Sequence, residues 1–294
     1  MKKVILLILV AVLIALPITL TACSSVSQRS MLMSALVCSE EGSETFIYNV
    51  HLPKVNAETK QNDYGDPIGT LTMKFEHLSK KSVVLPSETA ESKSVSYGNV
   101  NYDLLTTTLT FTDSADTIES YCVYNTIGLS PVYSYKRTFI DGVEKIMQVN
   151  YGNGKYLHAL RFENGVKVND YRHERSGCYD NEEIYALIRA SKISSSSYSL
   201  SFTMVSALLG SETDIQIGKK GSYTPSIGYA LAEKEKCLVF SIGTGNSYAS
   251  SYELAIAEHP IAVTVGEKVY NVKKVLHTIV EGKYAYVLKT IDIE

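Results

Sequence analysis

Apolar and polar residues alternate along several short stretches of the chain, which is the pattern of half-buried β-strands. In residues 69–77, Leu71, Met73 and Phe75 fall on one face, and polar residues fall on the other. Stretches rich in Val, Ile, Thr and Tyr predict further strands at 105–112, 120–127, 236–243, 251–257, 261–265, 269–280 and 284–293. Such residues favour pleated surfaces, so the pattern predicts a mainly β domain.

Three Asx-Gly pairs mark the centre of the chain: Asp141-Gly142, Asn153-Gly154 and Asn164-Gly165. These pairs tolerate the positive φ values of the type I′ turns that match strand twist. Apolar-rich runs at 132–140, 143–151, 155–162 and 166–172 surround them. Three hairpin signals in series predict an antiparallel meander.

One segment has a helical pattern instead. Asp180 or Asn181 can cap its start, and the acidic pair Glu182 and Glu183 suits the positive end of a helix dipole. An apolar stripe follows, made of Ile184, Leu187 and Ile188, before a serine run at 194–199. The layout is therefore antiparallel strands, one central helix, and more strands.

The N-terminus is typical of an export signal. Lys2 and Lys3 precede an uninterrupted apolar run at 4–16, which is the layout of a secretory signal peptide. The residues Leu20-Thr21-Ala22-Cys23 resemble the lipobox of bacterial lipoproteins. In that family the cysteine receives diacylglycerol and becomes the first residue of the mature chain. The resemblance implies that Cys23 is lipidated and carries a fatty acid such as palmitate.

The chain accordingly divides into a lipoprotein signal peptide (1–22), a tether (23–45) and an antiparallel β domain (46–294). The alternative for residues 4–22 is an uncleaved transmembrane anchor, since a spanning helix needs about 20 apolar residues. Both interpretations place the domain on the extracytoplasmic face of a cell membrane, because a positive flank stays inside. They leave open whether that membrane is the cytoplasmic or the outer one.

Charge and composition restrict the kinds of molecule that this protein is expected to bind. The formal net charge is −3 and becomes −5 without Lys2 and Lys3, and the chain has no basic block. This argues against a nucleic-acid partner. Tyr is frequent at 21 residues and Trp is absent. Tyrosines suit strand faces; the alternative is a stripe that binds carbohydrate or peptide.

Four cysteines remain once Cys23 is assigned to lipid: Cys38, Cys122, Cys178 and Cys237. An even number outside the cytoplasm permits two disulfides in any of three pairings. Buried thiols are the alternative. No CxxC occurs, so neither a zinc cluster nor a thioredoxin-like redox pair is expected.

A wider resemblance runs through residues 119–190. It is carried by Pro131-Val132-Tyr133, Arg137, the meander, Tyr179-Asp180-Asn181-Glu182-Glu183 and Leu187-Ile188-Arg189-Ala190. These motifs resemble a family of bacterial envelope proteins of unknown function that looks like the half β-barrels of lipoprotein carriers. The resemblance implies a single curved antiparallel sheet with one central helix on its concave face. It also implies a binding cavity, with apolar ligands as the leading expectation.

Signatures of catalysis are missing. The sequence has no GxSxG elbow and no SxxK pair. His277 and Glu281 are weak zinc candidates, and His173 lies near Cys178 and Asp180 without a recognised spacing. The Gly-rich stretch at 243–247 fits a tight turn better than a phosphate loop, and the acidic run at 180–183 fits helix capping better than calcium binding. We expect no catalytic residue, cofactor or metal.

Four arginines have two possible roles, ion pairing within the protein or binding of an anionic ligand. Arg137, Arg161, Arg172 and Arg189 fall on or near the predicted meander and helix. They can pair with nearby glutamates such as Glu163, or they can gather to hold a ligand's carboxylate or phosphate. The sequence favours pairing.

These observations together predict a non-enzymatic lipoprotein anchored outside the cytoplasm. In the leading hypothesis its curved sheet binds a lipid or another apolar ligand. The alternative is a structural or adaptor lipoprotein that docks another envelope protein through a sheet edge or a tyrosine patch.

Overall fold

The computed structural model describes residues 42–55, 62–78, 82–98, 101–152, 156–174, 177–191, 199–206, 211–229, 236–244 and 247–294. Cys23, Cys38 and most of the predicted tether lie outside these ranges. The first described strands are β1 (Ser43–His51), β2 (Lys54–Val55), β3 (Asn62–Asp63), β4 (Gly69–His77), β5 (Val83–Pro86), β6 (Ser94–Tyr97), β7 (Tyr102–Phe111), β8 (Thr117–Asn125), β9 (Pro131–Ile140), β10 (Val143–Tyr151), β11 (Tyr156–Glu163), β12 (Val166–Glu174) and β13 (Tyr179–Asp180).

A 3-10 turn at Asn181–Glu183 leads from β13 into the helix α1 (Ile184–Ala190). The remaining described strands are β14 (Ser199–Ser206), β15 (Ser211–Tyr223), β16 (Cys237–Thr244), β17 (Ser247–Ala257), β18 (Ile261–Val265), β19 (Lys268–Val272), β20 (Leu276–Glu281) and β21 (Tyr284–Ile293). The chain is therefore mainly β in its described part, with one short α-helix.

Fifteen of these strands form one sheet in the order β12-β11-β10-β9-β8-β7-β4-β1-β21-β20-β17-β16-β15-β14-β13. Its pairings are antiparallel except that of β13 with β14. β1 lies in the middle, between β4 and β21, so the two ends of the described chain are neighbours there. The predicted single antiparallel sheet with one helix is confirmed.

The turns of the meander have the predicted backbone. Asp141 and Gly142 have φ values of 53° and 76°, and Asn164 and Gly165 have values of 47° and 77°. Two successive positive φ values define the type I′ hairpin turn. The third predicted turn, at Asn153-Gly154, lies outside the described residues.

The inner face of the sheet is the one that carries α1. On β4 the predicted face of Leu71, Met73 and Phe75 is buried, and intervening residues are half-buried. These side chains belong to one large core cluster that includes Leu187 and Ile188 of α1. Burial of this apolar surface is the main driving force that holds the short helix on the sheet.

The start of the 3-10 turn that leads into α1 is fixed by a capping box. The Asp180 carboxylate accepts a hydrogen bond from the Glu182 amide at 2.7 Å, and the Asp180 amide donates to Glu183 Oε1 at 2.8 Å. A capping box satisfies amide groups that a helix start leaves without partners. Of the two predicted caps, Asp180 is the one used.

The outer face has its own core under the β5–β6 hairpin. Leu104 and Val123 belong to this second cluster, whereas their chain neighbours Leu105 and Cys122 belong to the inner one. The buried Gln148 ties the hairpin down: its side chain accepts from the Glu88 amide at 2.8 Å and donates to the Thr89 hydroxyl at 3.0 Å.

The two ends of the sheet curl towards each other. A third cluster joins Val149 and Leu157, near one end of the strand order, to Val205 on β14 at the other end. Side chains make this closure, because β12 and β13 remain the terminal strands of the described sheet. The sheet is thus curved and open, with the core of its inner face enclosed between its ends.

Residues 224–229, named here the outer strap, follow β15 and cross the outer face. The Tyr229 amide donates to the Leu288 carbonyl at 2.6 Å, and the strap's Gly228 has a φ of +90°. A Cβ atom at Gly228 would lie 2.5 Å from Val287 Cγ1. Only glycine fits the strap this closely against β21.

Three features of the fold differ from the sequence prediction or extend it. β1 begins at Ser43, three residues before the predicted domain boundary at residue 46. Eight of the described strands were not predicted: β1, β2, β3, β5, β6, β13, β14 and β15. The predicted strand at 269–280 is wrong in part, since it is divided into β19 and β20.

Candidate functional site

A cavity of about 390 Å³ opens on the inner face of the sheet, beside α1. Three groups of side chains line it. The apolar group is Leu71, Leu109, Ile118 and Ile184; the tyrosines are Tyr185, Tyr252, Tyr284 and Tyr286; the ionisable group includes Lys136, Glu182, Glu281 and Lys283. We call this the inner cavity.

The apolar wall of the inner cavity follows from strand register. Leu71 on β4 is opposite Leu109 on β7, and Leu109 is opposite Ile118 on β8. Directly opposed residues of antiparallel strands point to the same face. The three side chains therefore form one continuous apolar row across three strands.

The helix and the C-terminal strands supply the opposite wall. Tyr185 projects from the first turn of α1, and Tyr252 lies on β17 opposite Glu281 of β20. Burial raises the pKa of the Tyr185 and Tyr252 phenols well above the ordinary value, and the nearby Glu281 charge raises both further. The two phenols are therefore neutral donors at physiological pH.

An ion pair lies beside these tyrosines. Lys136 Nζ of β9 is 3.1 Å from Glu182 Oε1 of the 3-10 turn, and both side chains are largely buried. Desolvation alone would lower the pKa of Lys136, but the carboxylates of Glu182, Glu281 and Asp180 raise it above its ordinary value. Lys136 is therefore charged and committed to Glu182.

Glu281 is an exposed ionisable group of this wall. It is solvent-accessible at the end of β20, yet desolvation by the surrounding protein raises the pKa of its carboxyl. The Glu182 charge raises that pKa further, while Lys136 and a hydrogen bond with Tyr185 lower it. An accessible carboxyl in a recess, with a perturbed pKa, is typical of a functional site.

A second recess of about 540 Å³ lies on the outer face, below the outer strap. Tyr223 at its edge donates to the Thr278 hydroxyl at 3.0 Å, and Glu253 pairs with Lys220. Three of its polar side chains, those of Tyr223, Thr278 and Glu253, are thus already engaged by protein partners. The inner cavity is the stronger candidate, because Glu281 there is accessible from the recess.

The structure separates the residues that suggested a zinc site. His277 contacts the outer strap, where its Nε2 atom is 3.2 Å from the Tyr229 carbonyl oxygen. Glu281 lines the inner cavity on the other face. Among the described residues, no three His, Cys, Asp or Glu side chains come together as metal ligands would.

The structure places the other candidate motifs of the sequence as follows. His173 stacks on Tyr171 with ring centroids 5.7 Å apart. The acidic run at 180–183 forms the capping box of the 3-10 turn before α1. The Gly-rich stretch at 243–247 lies partly outside the described residues.

The four arginines do not gather into one anion site. Arg137 Nε is 2.7 Å from Glu144 at the surface, and Arg161 pairs with Glu163. Arg189 is buried in α1 with its guanidinium 2.5 Å from Glu44 Oε2. Arg172 lies on the terminal strand β12, opposite His158. For the first three, the pairing that the sequence favoured is observed, although Glu44 and Glu144 were not among the predicted partners.

The described cysteines are buried. Cys122 lies in the inner core, Cys178 in the cluster between the sheet ends and Cys237 at the start of β16. Cys23 and Cys38 lie outside the described residues. Lipidation of Cys23 and disulfide pairing among the others both stay predictions.

Sequence reasoning did not single out Lys136, Tyr185, Tyr252 or Tyr286, and it considered Glu281 only as a zinc ligand. The signal that was available is the alternation of Tyr284 and Tyr286 beside the Glu281-Gly282 turn. It places two tyrosines on one strand face without indicating what that face meets.

Comparisons with known proteins leave the function open. No known protein family matches the chain, and no curated protein is similar to it. Among solved structures, it is similar to the crystal structure of a β-barrel-like protein of the domain of unknown function DUF1849 from Brucella abortus. That protein is 9% identical, the match covers 86% of this chain and 98% of that chain, and the TM-score is 0.44. A likeness at this identity and score carries no functional information.

No helix in the described part of the chain has the length and apolar character needed to cross a membrane.

Proposed function

We propose that this protein binds a small, largely apolar ligand in the inner cavity and does not catalyse a reaction on it. The observation that carries the proposal is the cavity itself: an apolar row of Leu71, Leu109 and Ile118 faces a wall of tyrosines with ionisable groups. Ligand sites in proteins combine a mainly apolar lining with a few polar groups that fix orientation.

The size of the inner cavity supports this proposal. About 390 Å³ falls within the range of roughly 300–1,000 Å³ that is typical of small-molecule sites. Burial of apolar ligand surface against the row contributes about 25 cal/mol per Å². Glu281 and the phenols then select among ligands of similar apolar area.

We further propose that a lipid on Cys23 holds this binding domain at the extracytoplasmic face of a membrane. The support is the lipobox-like run that ends at Cys23. Fatty-acid labelling of cells that express the wild type and Cys23→Ser tests this part separately. Undiminished labelling of the variant would contradict it.

Two measurements test the binding function. Native mass spectrometry of protein purified from its own host should show an adduct of small-molecule mass. Titration with the apolar fluorophore N-phenyl-1-naphthylamine should show saturable binding to the purified domain. Ile118→Trp, which fills the cavity from a half-buried position, should abolish that binding.

Ile140→Trp is the matched control for the cavity variant, because Ile140 is exposed at the end of β9 and does not line the inner cavity. We expect it to bind the fluorophore as the wild type does. Equal binding by wild type and Ile118→Trp would show that the fluorophore enters elsewhere.

A second candidate function is docking of another envelope protein, and β12 favours it. β12 ends the described sheet, and Val166 and Val168 on it are 65% and 49% exposed. An open strand edge can accept a strand from a partner. A photo-crosslinking residue at Val168 should then give a defined protein adduct in cells, whereas one at the exposed Val269 of β19 should not. Absence of an adduct at both positions would count against docking.

A further inference from the structure

The charges around the inner cavity do not balance. Three carboxylates, on Glu182, Glu281 and Asp180, act on Lys136, and the second ammonium of the cavity lining, that of Lys283, lies at its exposed rim. Lys136 contacts Glu182 directly, so its charge is already engaged. A recessed site with surplus negative charge attracts a cation more strongly than an anion, because field lines concentrate in a cleft with low-dielectric walls.

The tyrosines add a second attraction for a cation. Tyr185, Tyr252 and Tyr286 lie on the same wall as Glu281. Aromatic faces attract ammonium groups that lie within about 6 Å of the ring centroid. At the rim this contact already exists inside the protein, since Lys283 Nζ lies 5.0 Å from the centroid of the Tyr284 ring.

The lysines of the site are poorly placed to select an anionic ligand instead. Lys136 would have to leave Glu182 and expose that carboxylate to the recess. Lys283 is exposed, so solvent and salt screen its charge. Glu281 is accessible and lines the recess, and in the described part of the chain no lysine or arginine forms an ion pair with its carboxylate.

We propose that the ligand of the inner cavity is an amphipathic amine, whose protonated nitrogen lies against Glu281 and the adjacent tyrosines and whose apolar part covers the leucine and isoleucine row. This inference rests on the proposed binding function and names its ligand class. The ammonium donates to the Glu281 carboxylate, and Tyr185 and Tyr252 surround it with ring faces and phenol oxygens.

Three probes with the same tail test the ligand class: decylamine, decanol and decanoic acid. The affinity of each probe is measured by its displacement of N-phenyl-1-naphthylamine from the purified domain at neutral pH. Each probe is used below the concentration at which it forms micelles. We expect decylamine to bind about tenfold more tightly than decanol, since a charge-assisted hydrogen bond and a cation–π contact act on the amine alone. Decanoic acid should bind more weakly than decanol.

Glu281→Gln should remove the advantage of decylamine and leave decanol binding unchanged. Glu253→Gln is the matched control, because Glu253 lies on neighbouring β17 but lines the outer recess. It should keep the wild-type preference. Glu281→Asp retains the charge and should keep part of the preference, which separates a charge effect from a fold defect.

The outcomes distinguish this inference from the proposed function. Equal affinity for all three probes, or tighter binding of decanoic acid, would overturn the amine inference while leaving a binding cavity. Failure of all three probes and of the fluorophore to bind would overturn the binding function itself. A preference for decylamine that survives in Glu281→Gln would also overturn the assignment of Glu281.

Discussion

The hydroxyl of Tyr151 donates a 2.5 Å hydrogen bond to Oδ2 of Asp180. Tyr151 ends β10, the third strand of the sheet order, and Asp180 lies on β13, the last. Ser134 of β9 donates to the same carboxylate oxygen, also at 2.5 Å. One buried carboxylate therefore joins the two ends of the curved sheet, while its other oxygen caps the 3-10 turn that leads into α1.

Removal of the Tyr151 hydroxyl should weaken this junction. We expect Tyr151→Phe to lower the free energy of unfolding by about 1.5–3 kcal/mol, because the lost hydrogen bond goes to a buried charged group. Denaturation with urea measures the change. Tyr156→Phe is the control, since Tyr156 is 56% exposed, and it should stay within about 0.5 kcal/mol of wild type. A similar small effect for Tyr151→Phe would contradict a structural role for the contact.

Asp180 should make stability depend on pH. The pKa of the Asp180 carboxyl is raised from 3.8 to about 6: burial is the main cause and the Glu182 charge adds to it, while hydrogen bonds from Ser134 and Tyr151 oppose the rise. Because the folded carboxyl binds its proton more tightly than the unfolded one, protonation stabilises the fold. The contribution of Asp180 to stability is therefore largest below about pH 4 and falls as the pH rises to about 6.

The difference in unfolding free energy between wild type and Asp180→Asn isolates this effect, because other titrating groups are common to both proteins. From pH 4 to pH 7 the wild type should lose about 2 kcal/mol relative to the variant. Urea titrations at four or five pH values give the curve. A relative gain of wild-type stability over this range would show that the pKa of Asp180 is lowered, not raised.

The ion pair of Arg189 and Glu44 should be sensitive to loss of one partner. Both side chains are buried, and the guanidinium carbon lies 4.6 Å and 4.5 Å from the ring centroids of Phe46 and Phe75. Arg189→Met leaves a buried carboxylate without its cation, so we expect a loss of about 3–5 kcal/mol in unfolding free energy. The double variant with Glu44→Gln should recover part of this loss.

Arg137→Met is the matched control for that series, because the pair of Arg137 with Glu144 lies at the surface. Exposed ion pairs contribute about 0–1 kcal/mol. Losses of equal size in Arg137→Met and Arg189→Met, measured in the same urea series, would show that burial of the Arg189 pair is not what makes it important.

The outer strap should depend on Gly228. Alanine at this position would place a Cβ atom 2.5 Å from Val287 Cγ1 and 2.8 Å from the Leu288 carbonyl oxygen, at a φ of +90°. We expect Gly228→Ala to cost about 1–3 kcal/mol and to speed proteolytic cleavage within residues 224–229. Gly221→Ala is the control, since its Cβ would meet nothing within 4 Å. Wild-type protease resistance in Gly228→Ala would contradict the tight fit.

Much of the fold follows from local chemistry in the sequence. The alternation at Leu71, Met73 and Phe75 predicted β4, and Asp141-Gly142 predicted the turn between β9 and β10. These features depend on side chains only a few residues apart, so the sequence pattern is sufficient to predict them.

Where the sequence prediction failed, the local signal was weak. Within β15, Gly218 and Gly221 dilute the alternation, and the strand is defined by its pairing with β14 and β16. The division of the predicted strand at 269–280 occurs near Lys274, which has a φ of +54°. No glycine or proline marks that position.

The sequence by itself determined the faces of the predicted strands and the hairpin turns, limited the cap before α1 to Asp180 or Asn181, and marks Cys23 as a predicted lipid site. Tertiary structure decided that β1 lies between β4 and β21, that Asp180 joins the sheet ends and that Glu281 shares a cavity with Tyr185. The physical reason is that a side-chain period of two fixes which residues share a face. Backbone pairing and packing between residues distant in sequence decide what that face meets.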